Sequence, residues 1–188
     1  MAIKIFIDQG HNPSNPNAGA EGNGYREQDI VFRIGILLYE LFSQNPAFEV
    51  RLSRPTLDVQ LGTSNTTSLR ERVRLANEWG ADYFISLHTN ASSQPSANGV
   101  EAFAFSEPSA AFSLGKDIVD SISAITGLNN RGMKTRSGLY VLRKTAMPSV
   151  LVELGFITNA SDAYLMVNEP ELFAEGIYNG TLKYLGLN

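Results

Sequence analysis

Strand-like and helix-like segments alternate along this chain, which predicts an α/β fold: a mostly parallel central sheet with helices on both faces. Two further observations support that class. The strand-like runs are short, apolar, and rich in β-branched and aromatic residues, as buried strands are. The helix-like runs carry apolar residues at helical spacing on one side. A length of 188 residues fits one domain, spanning 1–188, with a substantial core.

The elements follow in order. Residues 3 to 8 read as a buried strand ending at Gln9-Gly10. Residues 12 to 25 hold Asn, Pro, Ser and Gly in quantity and form a long loop, of the kind that often carries function. A helix is predicted from 27 to 43, with Ile30, Val31, Ile34, Leu37, Leu38, Leu41 and Phe42 as its stripe. A strand at 48 to 53 and a polar, turn-rich stretch at 55 to 67 come next. Leu69, Val73, Ala76 and Trp79 mark one side of a helix over 69 to 79. Strands are predicted at 81 to 87 and 99 to 105, and an amphipathic helix at 109 to 125. Residues 129 to 138 are polar and basic, 139 to 142 and 149 to 153 read as short strands, and a helix over 170 to 185 closes the chain.

Composition excludes several classes. The net charge of -4 argues against nucleic acid, because phosphate binding needs clusters of Lys and Arg. The absence of cysteine excludes disulfides, thiolate nucleophiles and Cys-ligated zinc. No apolar run approaches the ~20 residues of a membrane span, so no membrane partner is expected. The N-terminus lacks the pattern of a signal peptide; an excised or mature domain, or another export route, is expected.

The chemistry concentrates at strand ends. The two histidines, His11 and His88, each follow a predicted buried strand, and Glu153 ends a third. Ligands of open α/β sheets bind outside the carboxyl ends of strands. Glu27 starts the helix after the long loop, which would fold back over that edge. Taken singly, His11 reads as a turn residue, His88 as a strand-end residue and Glu27 as a helix-start carboxylate. Glu153 resists the plainer reading, because a carboxylate closing an apolar strand needs a partner; Arg143 or Lys144 would serve. Taken together, two imidazoles and a carboxylate form a common zinc-hydrolase set with an open position for water. A further carboxylate is then needed to move the proton, and Glu153 is placed for it.

An ordered set of blocks carries a resemblance. These are Ile5-Phe6-Ile7-Asp8-Gln9-Gly10-His11, Gly24-Tyr25-Arg26-Glu27-Gln28-Asp29, Leu69-Arg70-Glu71-Arg72 and the run from Ala81 to Ala91. Gly99-Val100-Glu101, Asn130-Arg131-Gly132-Met133-Lys134, Leu139 to Arg143 and Pro148 to Asn159 complete it. The chain resembles, over nearly its whole length, the catalytic domain of zinc-dependent N-acetylmuramoyl-L-alanine amidases. The resemblance implies one Zn2+ per chain on His11, Glu27 and His88, with Glu153 as the catalytic glutamate. It implies peptidoglycan as substrate, cut between N-acetylmuramic acid and L-alanine of the stem peptide, at the cell wall or outside the cell, as autolysins and endolysins act. Gln9 stands where the family usually has Pro, and Asn12-Pro13-Ser14-Asn15-Pro16 replaces a Gly-rich stretch. Those departures concern loop shape rather than ligands.

Several secondary readings complete the expectation. Asn90 is a candidate to bond substrate or to hold the loop, and Asp8 a candidate to orient His11. Arg131 and Lys134 read as solvated charge that could also meet an acidic stem peptide. Tyr140 and Phe156 read as core. No long helical insertion is visible between Gly99 and Arg131, which predicts an open site, and the chain is expected to be a monomer. A stem-cutting zinc peptidase and a non-catalytic wall-binding module are the competing functions.

Overall fold

The computed structural model describes residues 2–187. A six-stranded sheet carries the architecture, in the order β4 (Phe48–Leu52), β1 (Ile3–Gln9), β5 (Tyr83–Asn90), β8 (Ser149–Phe156), β6 (Val100–Ala104) and β7 (Asn130–Thr135). The first four run parallel; β6 is antiparallel to β8, and β7 is parallel to β6. The sheet is therefore mostly parallel, as predicted, with its last two strands reversed.

Alternation along the strands builds two cores. Ile5 and Ile7 of β1, Ile85 and Leu87 of β5 and Val150 and Val152 of β8 point to one face. There they meet α1 (Glu27–Ser43), α3 (Ala110–Thr126) and α6 (Pro170–Leu185) through Ile34, Leu38, Leu114, Ile118, Phe173 and Ile177. The interleaved Phe6, Phe84 and Leu151 point to the other face. That face is covered by α2 (Asn65–Trp79) and α4 (Tyr140–Lys144) through Val73, Ala76, Val141 and Leu142. Helix α2 opens on a capping box: the Ser64 hydroxyl accepts from the Thr67 N–H at 3.1 Å, and Thr67 Oγ1 accepts from the Ser64 N–H at 2.8 Å.

Four segments depart from the sequence reading. Residues 139 to 142, read as a strand, instead enter α4. Their strand-like composition is overridden because one helical turn buries both Val141 and Leu142 against the second core. The polar 129 to 138 stretch supplies the edge strand β7, which has no alternating pattern because most of its residues are exposed. The long loop contains a small hairpin, β2 (Glu21–Gly22) with β3 (Tyr25–Arg26). Finally, α5 (Ala160–Asn168) is capped by the Asn159 side chain, which accepts from the N–H groups of Ser161 and Asp162. No helix among the described residues is long and apolar enough to cross a membrane.

Candidate active site

Strand β1 ends beside β5 at the pairing of Gln9 with Leu87, which brings the turn bearing His11 next to His88, a residue of β5 itself rather than of the turn after it. His11 follows β1 and takes a left-handed backbone conformation, φ 63°. Its carbonyl accepts a hydrogen bond from the buried Arg72, so the turn is fixed from beneath by α2. His88 lies within β5, one residue beyond the pairing of Leu87 with Gln9. Gly10 lets the His11 turn lie against β5: a Cβ there would sit 2.5 Å from His88 Cε1 and 2.6 Å from the Leu87 carbonyl oxygen. Any larger residue would displace His88.

Glu27 is the first residue of α1 and is buried at 3% exposure. One carboxylate oxygen, Oε1, lies 3.1 Å from His11 Nε2 and 3.0 Å from His88 Nδ1, and accepts from the Thr89 N–H at 2.9 Å. The other accepts from the Ala20 N–H at 2.9 Å. Burial alone would push this carboxyl up. The hydrogen bonds and charge of the two histidines outweigh it and hold Glu27 well below the usual carboxylate range.

The fit of this cluster to a metal ion rests on its donors. His11, Glu27 and His88 each present one ligand atom, and these atoms all lie within 4.8 Å of one another. His11 Nδ1 is buried without a hydrogen-bond partner. Two imidazoles converging on one ionised carboxylate oxygen make the nitrogen and oxygen donor set that a divalent ion such as zinc takes.

Glu153 faces the cluster from the neighbouring strand, in register with His88. Its Oε2 is buried and has no hydrogen-bond partner. Burial, followed by the negative charges of Glu27 and Glu101, pushes this carboxyl up to about 8, with Arg136 opposing. Neither Arg143 nor Lys144 pairs with it among the described ion pairs, so the plainer reading of Glu153 has no support. A carboxyl with a raised affinity for protons beside a metal-type cluster is a candidate for proton transfer, and a cation bound there would draw it back towards the ionised form.

The neighbours correct the sequence reading in detail. Asp8 does not bond His11 directly; it acts on the His11 turn through Arg72. It is buried and bound by Arg72 Nη1 at 2.5 Å and by the Ser86 hydroxyl at 2.8 Å. Arg72 went unread in the sequence, although it stands within the helical stripe of Leu69, Val73 and Ala76, where a charge is conspicuous. Asn90 donates to Glu101 Oε1 at 2.9 Å and so ties the end of β5 to β6. Glu101 was also missed, and the argument applied to Glu153 applies to it: a carboxylate inside the wholly buried run Val100–Ala104. Arg131 and Lys134 are exposed, as read, and both also pair with Glu101. Phe156 is buried, as read, whereas Tyr140 helps line a cavity of about 110 Å³ beside His11 and His88, with Leu69, Leu139 and Leu151.

The two departures in the first loop have structural uses. The Gln9 N–H, which Pro would lack, donates to Ser53 Oγ at 3.0 Å, and its side chain accepts from the Arg54 N–H at 2.9 Å. Asn12 organises the 12–16 stretch by donating to the carbonyls of Pro16 at 2.8 Å and Leu61 at 2.9 Å. A larger depression of about 600 Å³ lies along the hairpin and α1, lined by Tyr25, Arg26, Ile30 and Leu57 among others. It holds none of the four site residues, and the charges of its Arg26 and Asp29 are paired with each other.

Comparison with known proteins places these features among relatives. The family described as N-acetylmuramoyl-L-alanine amidase matches residues 5–183. The N-acetylmuramoyl-L-alanine amidase CwlM of Bacillus licheniformis is 34% identical over 190 residues, covering 99% of this chain and 70% of its own length. The amidase LytC of Bacillus subtilis is 37% identical over 186 residues, covering 96% of this chain but 35% of LytC, so the chain corresponds to only a part of that relative. Among solved structures, an N-acetylmuramoyl-L-alanine amidase from Clostridium difficile 630 superposes with a TM-score of 0.87 at 30% identity, covering 98% of this chain and 97% of that one.

Proposed function

The chain belongs to the N-acetylmuramoyl-L-alanine amidase family, and from that premise we propose that residues 1–188 form a zinc-dependent catalytic domain acting on peptidoglycan at the cell wall. The bond cut is the amide between the lactyl group of N-acetylmuramic acid and L-alanine of the stem peptide. His11, Glu27 and His88 hold one zinc ion, and Glu153 is the catalytic residue.

The observation that carries this reading is the convergence of His11, Glu27 and His88 within 4.8 Å, with Glu153 in register with His88 one strand away. Zinc, when bound, supplies Lewis acidity and brings the pKa of water towards ~7. Glu27, held ionised by the donors around it against the cost of its burial, contributes the negative ligand, and the two histidines contribute neutral ones. That leaves a net charge near +1 on the site. Glu153 takes the proton of the attacking water through its free, buried oxygen and passes it to the departing L-alanine nitrogen. The Arg72 and Asp8 pair keeps the His11 turn in place throughout.

The test is zinc content of the purified protein together with digestion of purified peptidoglycan, products being read by mass spectrometry. About one zinc per chain and stem peptides released with a free L-alanine amine from intact glycan are expected. Zinc with cleavage elsewhere in the peptide would overturn the specificity; absence of both metal and cleavage would overturn the whole reading.

A further inference from the structure

Glu101, for which the reaction above has no use, anchors a second polar cluster on the same row of the sheet. His88 of β5 pairs with Glu153 of β8, and Glu153 pairs with Glu101 of β6. Glu101 is buried, yet its carboxylate collects three donors. Asn90 Nδ2 lies 2.9 Å from Oε1, while Arg131 Nε, at 3.0 Å, and Lys134 Nζ share Oε2.

The arrival of both cations at one oxygen follows from an irregularity in β7. Residues three apart in a regular strand point to opposite faces of the sheet. Here Val100 pairs with Asn130 and Ala102 with Met133, so β7 spends one more residue than β6 over the same span. Gly132 takes the extra turn at φ +77°, a conformation that favours glycine. The added residue reverses the parity and turns Arg131 and Lys134 onto the same carboxylate. The Arg131 guanidinium also lies 5.0 Å over the Phe156 ring and donates to the Asn98 carbonyl at 3.3 Å.

Charge and exposure decide what this arrangement suits. Two cations on the Glu101 carboxylate leave a surplus positive charge, beside an edge otherwise lined with Glu27 and Glu153. The Arg131 and Lys134 side chains are 33% and 45% exposed, so their remaining donors face solvent. Pre-held guanidinium and ammonium donors are suited to a carboxylate. Neighbouring strands lie ~4.8 Å apart, so Glu101, two strands from His88, stands ~10 Å from the metal ligands. An extended peptide covers that distance in about two to three residues, at ~3.3–3.6 Å each.

We propose that Arg131 and Lys134, positioned by Glu101 and the bulge at Gly132, form a carboxylate subsite. It recognises a free carboxylate two to three residues along the stem peptide from the scissile amide. The proposal rests on the amidase reading above and adds a specificity to it.

The experiment compares synthetic muramoyl peptides in matched pairs, with the carboxylate of the second or the third peptide residue either free or converted to the carboxamide. For the zinc-loaded wild type, KM for one of the free-carboxylate substrates should lie ~10–100-fold below that of its carboxamide. Arg131→Gln with Lys134→Met should erase that ratio. Calorimetry of the corresponding released peptides with the zinc-free protein should give the same ratio without turnover. Equal KM values within both pairs for the wild type would overturn the subsite while leaving the amidase reading intact. Variants that lower activity on both members of a pair alike, with the ratio preserved, would also overturn it, since that is what a purely structural role does. Cleavage of no substrate by the wild type would overturn both readings.

Discussion

Replacing Arg72 with Met tests the idea that a buried ion pair holds the histidine turn. Arg72 and Asp8 are each 1% exposed and 2.5 Å apart, and Arg72 also donates to the Gln9 carbonyl at 2.6 Å. Met keeps the apolar stem of Arg72 and removes its charge. Asp8 then retains only the Ser86 hydroxyl. Removing one partner of a buried pair costs about 3–5 kcal/mol, because the other charge is left in a low-dielectric site. For a chain of this size, each kcal/mol shifts Tm by ~2–4 °C, so the variant should melt ~6–20 °C lower. The pH dependence has a definite sign. Burial alone would raise the Asp8 pKa, but Arg72 and Ser86 outweigh it and hold it below 3.8. A depressed carboxylate stabilises the fold above its unfolded pKa, and that contribution fades as pH falls through the folded value. The deficit of Arg72→Met should therefore be largest at neutral pH and shrink towards pH ~4, where the orphaned Asp8 protonates. Urea denaturation followed by circular dichroism, with chelator present so that metal binding adds nothing, measures it. Adding Asp8→Leu should recover most of the loss, since no charge is then stranded. A deficit under ~1 kcal/mol at pH 7, or a double variant as unstable as the single one, would refute the reasoning.

Further outcomes follow from other residues. Gly10→Ala should weaken zinc binding ~10–100-fold, because the new Cβ meets the His88 ring at 2.5 Å; competition with a chromogenic chelator reads it. Glu153→Gln should keep the zinc and lose activity by ~10²–10⁴-fold, and retained full activity would remove Glu153 from the reaction. In the zinc-free protein, Glu153 is raised from 4.5 to about 8, so the wild type should lose stability as pH rises between those values. The Gln variant should lack that decline in denaturation curves taken across pH 5 to 9. Ser64→Ala removes the cap of α2 and should cost about 1 kcal/mol in urea denaturation without changing zinc affinity.

What the sequence by itself determined is local. Short apolar, β-branched runs marked most of the strands and the 3.6-residue period most of the helices, and the position of His11, His88 and Glu153 just after or at the end of apolar runs marked a candidate site at one edge of the sheet. Those signals survive in one dimension because each depends on which face a residue presents within its own element. Tertiary structure alone decided the rest. The reversal of β6 and β7 follows from pairing across the sheet. Tyr140-Val141-Leu142 became a helical turn because of the core it meets. Arg72 is a charge within an apolar stripe, but only the fold gives it its partner, Asp8, 64 residues away. Arg131 and Lys134 read as solvated charge, and only the extra residue in β7 turns both onto Glu101. In each case the deciding energy comes from a contact between distant segments, in which a buried charge finds its counter-charge or a strand finds its register.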